Sequence, residues 1–172
     1  MSSGGLSFTI TAECARSGAR CGLLSTPHGT VETPVFVPCA TRGALKGITA
    51  EQAAATGAQM LLANTYHLFL QPGPEAVATH GGLHRFMNWP RPLLTDSGGF
   101  QIFSFGHGSV ADEIKGRRKQ RQSPAAVELT EEGAAFRSYV DGRKVFLSPE
   151  GAVEAQQQIG ADLIVVLDEC TP

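Results

Sequence analysis

The chain has 172 residues, with 14 basic and 16 acidic side chains and a formal net charge of −2. That length suits one domain able to bury a core without staples. The near-neutral charge excludes a global cationic field, so any nucleic-acid contact must be local. The 20 glycines and 10 prolines predict many turns but fall short of a disordered composition. The longest strongly apolar run, Leu163 to Leu167, is too short to span a membrane. Met1 to Ser7 has neither a basic n-region nor an apolar h-region, so no cleavable secretory signal is expected.

Ser7 to Thr11 and Arg20 to Ser25 read as a small hairpin. The run 34–38, an apolar stretch between prolines, reads as a strand. Thr49 is placed to cap a helix to Ala55, with Gly57 stopping it. Gln59 to Asn64 reads as a buried strand, because Met60 to Ala63 is continuously apolar. Glu75 to His80 predicts a helix closed by Gly81-Gly82, and Pro92 to Thr95 a further strand. Val127 to Leu129, Phe136 to Val140 and Val145 to Leu147 form an expected antiparallel meander. Ser148 caps the next helix, with Pro149 at its first position and Gly160 at its end. Asp162 to Leu167 reads as a strand buried on both faces.

Strands at 34–38, 59–64, 92–95 and 162–167 thus alternate with helices or longer excursions, which argues for parallel βα units. Three of them run directly into polar clusters: Asn64 to His67, Asp96 to Gly99, and Asp168-Glu169-Cys170. The C-terminal ends of parallel strands are where α/β folds build their sites.

At Asp96 to Gln101, paired glycines let the backbone approach a ligand. Asp96 could carry a proton, and Phe100 offers a flat face for a planar ring. A tight turn with a structural aspartate explains the same residues, and the residues alone leave both readings open. Asp168 could accept two parallel N–H bonds from the edge of a guanine-like base, or could be a salt-bridged rim carboxylate. Asn64 to His67 could serve chemistry or only satisfy backbone groups. Lys115 to Arg121 carries five positive charges in seven residues, which suits a solvated loop or a phosphate-contacting patch.

The cysteines at 14, 21, 39 and 170 show no C-x-x-C spacing, so no zinc knuckle is encoded locally and free thiols are expected. His80 and His84 stand four apart, but Gly81 and Gly82 between them argue against a rigid helical metal pair. Two carboxylates facing one planar ligand would suit chemistry at a glycosidic carbon.

The ordered motifs resemble the tRNA-guanine transglycosylase family. They run from His28-Gly29-Thr30-Val31-Glu32-Thr33-Pro34 through Leu45-Lys46-Gly47 and Asn64-Thr65-Tyr66-His67-Leu68 to Gly81-Gly82-Leu83-His84. They continue with Leu94-Thr95-Asp96-Ser97-Gly98-Gly99-Phe100-Gln101, Phe136-Arg137-Ser138, Leu147-Ser148-Pro149-Glu150 and Asp168-Glu169-Cys170-Thr171-Pro172. The resemblance implies an α/β fold, the N-terminal half of a (β/α)8 TIM-type barrel, with about four parallel strands, a small N-terminal hairpin and an inserted meander. It implies exchange of guanine at the tRNA wobble position for a 7-deazaguanine, on the path to queuosine.

By the same resemblance, Asp96 matches the general acid/base, and Ser97, Gly98 and Gly99 the substrate-contacting turn. Phe100 matches the residue that stacks on the base, Asp168 the reader of the base edge, and Asn64 a neighbour of the catalytic aspartate. Cys170 suggests a pocket for 7-aminomethyl-7-deazaguanine rather than queuine. The family's nucleophilic aspartate and its Cys3His Zn2+ site lie further along, so residues 1–172 are expected to be an incomplete catalytic domain, inactive alone. A homodimer, a cytoplasmic or organellar location and no membrane partner complete the expectation. The competing reading is a non-catalytic accessory subunit of a heterodimeric transglycosylase, against which the intact Asp96 motif speaks.

Overall fold

The computed structural model describes residues 5–106 and 127–168. The basic run 115–121 and Cys170 lie outside the described residues. So does Glu169. The described residues form three three-stranded sheets and six helices.

The N-terminal sheet is antiparallel, in the order β1 (Ser7–Glu13), β2 (Arg20–Thr26), β3 (Gly29–Thr33). The expected hairpin is therefore one strand larger. Thr26 and Gly29 close the β2–β3 turn, and Gly29 adopts φ +131°, a conformation that favours glycine.

The central sheet is parallel, in the order β4 (Leu61–Ala63), β5 (Leu93–Thr95), β9 (Leu163–Ile164). Helix α1 (Ala50–Ala55) precedes β4, and α2 (Thr65–Leu70), α3 (Pro74–Thr79) and α4 (Leu83–Met87) lie between β4 and β5. After β5 come α5 (Gly99–Gly106), the meander β6 (Glu128–Thr130), β7 (Gly133–Arg137), β8 (Lys144–Leu147), and then α6 (Pro149–Ile159).

The capping signals act as read. Thr49 and Gln52 exchange both bonds of a capping box on α1. Ser148 accepts from the Gly151 N–H, and Gly160 closes α6 in the left-handed region. One core cluster lies behind the parallel sheet, around Leu61, Leu68, Leu83, Trp89, Leu93 and Ile159. A second lies beneath the meander, around Tyr66, Ile102, Phe136 and Leu147.

Two strand expectations are corrected. Residues 34–38 form no strand, and pairing there shrinks to a parallel bridge from Cys39 to Leu62. Pro34 and Pro38 lack an N–H, so the ladder consists of Leu62 N–H to Pro38 O (3.0 Å) and Ala40 N–H to Leu62 O (2.6 Å). The last strand covers only Leu163–Ile164, and Val166 is 71% exposed rather than buried. Its pairing ends because a side chain takes over. The buried Gln156 accepts from the Val165 N–H (3.1 Å) and from Thr95 Oγ1 (3.0 Å), and donates to the Val165 carbonyl (2.8 Å). A helix amide thus does the work of a strand and fixes the approach to Asp168.

Candidate active site

Described members of the three polar clusters, among them Asn64, Asp96 and Asp168, meet beyond the C-terminal edge of the parallel sheet. Asn64 is the N-cap residue of α2 but makes no capping bond with its own side chain. Asp96, at the tip of β5, supplies it instead, accepting from the Thr65 N–H (2.7 Å). The Thr65 hydroxyl donates back to the Asp96 carbonyl. The other Asp96 carboxylate oxygen accepts from the side-chain amides of Asn64 and, at 3.3 Å, Gln101. The Cys39 thiol donates to Asn64 Oδ1 (3.2 Å), so the Asn64 amide nitrogen is turned toward Asp96. Three donors therefore hold one half-buried carboxylate in a single orientation.

Beyond Asp96 the chain turns on Ser97, Gly98 and Gly99. The Ser97 hydroxyl donates to Asp168 Oδ1 and accepts from the Gly99 N–H (3.0 Å). Gly98 has φ +84°, and a Cβ there would press at 3.3 Å on Tyr66. A Cβ on Gly99 would collide with the Asp168 carbonyl oxygen. The second glycine is thus required by close backbone approach. Gly99→Ala is expected to destabilise the protein by about 1–3 kcal/mol, read by urea denaturation. An unchanged midpoint would contradict the close approach.

Phe100 is 51% exposed at this rim. Next to Asp168 an open cavity of about 620 Å³ lies between α5 and the meander, lined by Gly99, Ile102, Thr130, Glu131, Pro149 and Asp168. That volume suits a small planar ligand. The structure thus brings together Asn64, Asp96, Ser97, Gly98, Gly99, Phe100 and Asp168. Within the same clusters, Thr65 and Gln101 gain definite contacts to Asp96 from α2 and α5, two helices the sequence reading did not foresee. The Gln101 Oε1 atom is buried and has no hydrogen-bond partner among the described residues.

Beside this edge, Tyr66 is pushed up to about 12 by burial and then by Tyr139. His67 is held below the ordinary histidine value by burial and by the Arg42 charge, which together outweigh the pull of Asp96.

At the opposite end of the parallel strands, Asp162 accepts from His28 Nδ1 (2.6 Å), from His84 Nε2 (3.0 Å) and from the Leu93 N–H (2.8 Å). The two imidazoles stack, with centroids 3.5 Å apart and planes at 17°. His84 thus pairs with His28 and not with His80, which turns to the Ala76 carbonyl. No spacing signal links His28 to His84. These three side chains form the one group of potential metal ligands among the described residues. Their donor set is not Cys3His, and Cys14, Cys21 and Cys39 are free thiols outside any such group. The described residues do not fit the zinc site that the resemblance implies, and no step below passes through a metal. No helix among the described residues is long and apolar enough to cross a membrane.

Carboxylates, a glycine turn and an exposed aromatic side chain beyond parallel strand ends stand where α/β proteins as a class build their ligand sites. The family model for queuine tRNA-ribosyltransferase matches residues 14–172. A queuine tRNA-ribosyltransferase of Roseiflexus sp. (strain RS-1) is 51% identical over 168 residues, covering 97% of this chain and 42% of the relative. One from Chlamydia pneumoniae is 53% identical over 167 residues, covering 97% and 44%. One from Pelotomaculum thermopropionicum is 48% identical, covering 97% and 40%. The chain belongs to this family of pentosyltransferases, and with it to a TIM-barrel-like α/β fold. It spans about two fifths of the length of these relatives.

Proposed function

We propose that the chain is the N-terminal part of an enzyme that exchanges the wobble guanine of tRNA for a 7-deazaguanine. The observation that carries the proposal is the pairing of two strand-end carboxylates across one turn. Asp96 is fixed by three donors, Asp168 is tied to it through Ser97, and Phe100 stands open beside both. Residues 1–172 then form the first half of a catalytic barrel, and the rest of the barrel supplies the nucleophilic aspartate, the Zn2+ site and the homodimer contacts. A cytoplasmic location goes with that role. The comparisons give the accessory-subunit alternative no support.

In this reading the base stacks on Phe100. Asp168 accepts two N–H bonds from its edge, and its remaining lone pairs take the Ser97 hydroxyl. Asp96 returns a proton to the leaving base and removes one from the incoming base. Asn64 and Gln101 hold Asp96 for that exchange. By the family resemblance, Cys170 is the residue that favours the small 7-aminomethyl substituent.

The test is incorporation of labelled guanine into tRNA by the protein at the length of its relatives. Incorporation supports the reading, and its absence in the wild-type protein defeats it. The 172-residue chain alone is expected to give none, since it carries one of the two catalytic carboxylates. Phe100→Ala in the longer protein is expected to weaken base binding by about 1–3 kcal/mol. The loss should appear in KM for the base with kcat largely kept.

A further inference from the structure

The reading above leaves Arg42, His67 and Tyr139 without a role, although they form a directed chain at the edge of the site. Arg42 donates from Nη2 to the Tyr139 hydroxyl (3.2 Å), and its guanidinium lies 5.5 Å from the Tyr139 ring centroid. The same hydroxyl lies 2.9 Å from His67 Nδ1. A guanidinium can only donate. The phenol accepts that bond, and its own O–H is free to donate to His67 Nδ1, an arrangement that puts the ring's proton on Nε2.

The surroundings keep that state. Tyr66 meets the imidazole edge-on (5.3 Å, 82°), Tyr139 packs against it as well (5.6 Å, 69°), and the two tyrosine rings stack 6.0 Å apart. The charged groups that act on His67 are Arg42, which opposes a positive ring, and Asp96, which favours one; burial adds to the Arg42 side and prevails. In that arrangement burial and Arg42 favour the neutral ring, and Nε2–H is its free donor. His67 stands half-exposed, two residues after the helix position that Asp96 caps. Arg42 is exposed and pairs with no carboxylate among the described residues. A fixed N–H donor beside an unpaired guanidinium is chemistry that receives a phosphodiester oxygen.

We propose that Arg42 and Tyr139 are positioning residues that hold His67 as an Nε2–H donor, and that His67 and Arg42 together receive a backbone phosphate of the strand carrying the reacting nucleoside. This rests on the tRNA reading for its ligand, though the relay itself does not.

The experiment uses the protein at the length of its relatives and has two arms. Nitrogen-15 NMR of the His67 ring, without nucleic acid, reads the tautomer and the titration. The wild type is expected to show the Nε2–H form and to titrate below the ordinary histidine range. Tyr139→Phe keeps the ring stacking and removes only the hydroxyl. It should mix the tautomers and raise the titration toward the ordinary range. Arg42→Gln, a second variant, should move both in the same direction. The kinetic arm measures KM for tRNA and for the free base separately. The loss of one phosphate bond is expected to raise KM for tRNA about tenfold in His67→Phe, with KM for the base unchanged.

An unchanged tautomer and titration in Tyr139→Phe would overturn the relay. An equal rise in both KM values would overturn the phosphate role, because it would mark general damage to the site. If the wild-type protein exchanges no base, the tRNA reading fails while the NMR arm still decides the relay.

Discussion

Asp96→Asn, made in the protein at the length of its relatives, will lower labelled-guanine incorporation by about 100- to 10,000-fold. That range is the worth of a positioned proton carrier, about 3–5 kcal/mol. The substitution keeps the shape of the side chain and removes its ability to accept a proton. It also places a second amide against Asn64 and Gln101, both of which donate to the same oxygen. The denaturation midpoint therefore has to be measured beside the rate. A rate loss with the midpoint nearly kept assigns proton transfer to Asp96. A rate within threefold of wild type would remove Asp96 from the chemistry.

The largest effect on stability is expected away from the site, at Asp162→Ala. The Asp162 side chain is 1% exposed and gathers His28, His84 and the Leu93 N–H from three separate elements. Truncation leaves the Leu93 N–H and the largely buried His84 imidazole without that partner. The expected cost is about 3–5 kcal/mol, read from urea denaturation at neutral pH. His28→Ala should cost far less, about 1 kcal/mol or below, because that imidazole is 41% exposed. Equal losses from the two variants would show that the carboxylate is not the centre of the arrangement.

Acid should undo the same arrangement. Burial and the neighbouring His28 hold the folded His84 below the ordinary value of 6.5, despite the help of Asp162. Its contribution is complete above the unfolded value and is lost as pH falls from 6.5 toward the folded one. Asp162 follows at lower pH. Burial alone would raise it, but the bonds from His28 and Leu93 and the His84 charge hold it below 3.8. Its stabilisation is lost as pH falls from 3.8 toward that lower value. Thermal midpoints that do not change from pH 7.5 to 5 would contradict the His84 step.

Local signals in the sequence carried the elements whose physics is local. Thr49 with Gln52, Ser148 with Pro149, and Gly160 mark helix ends through bonds made within three or four residues. The apolar run at 61–63 and the Leu93-Leu94 pair before Thr95 mark largely buried strands. What failed was set by partners remote in the chain. The 162–167 run looks like a long buried strand, yet Gln156 ends its pairing after Ile164, and no periodicity announces a buried glutamine. Helix α2 was hidden because its N-cap bond comes from Asp96, 31 residues on from the Thr65 N–H that it accepts. The convergence of Asn64, Asp96 and Asp168 was legible because each directly follows or closes an apolar run. Thr65, Gln101 and the Tyr139 relay were not, since their contacts depend on how helices lie.

The Asp162 carboxylate also imposes an order on assembly. His28 and Asp162 are 134 residues apart. At about 5–20 residues per second, His28 is made roughly 7 to 27 s before its partner. The N-terminal sheet is complete by Thr33 and can bond early through the Glu32 N–H to Gln59 Oε1 (2.9 Å), whereas its bond to Asp162 comes only after that interval. Phe8 and Ile10 remain 47% and 46% exposed even afterwards. The last side-chain contact of that sheet therefore closes long after its own ladder is made.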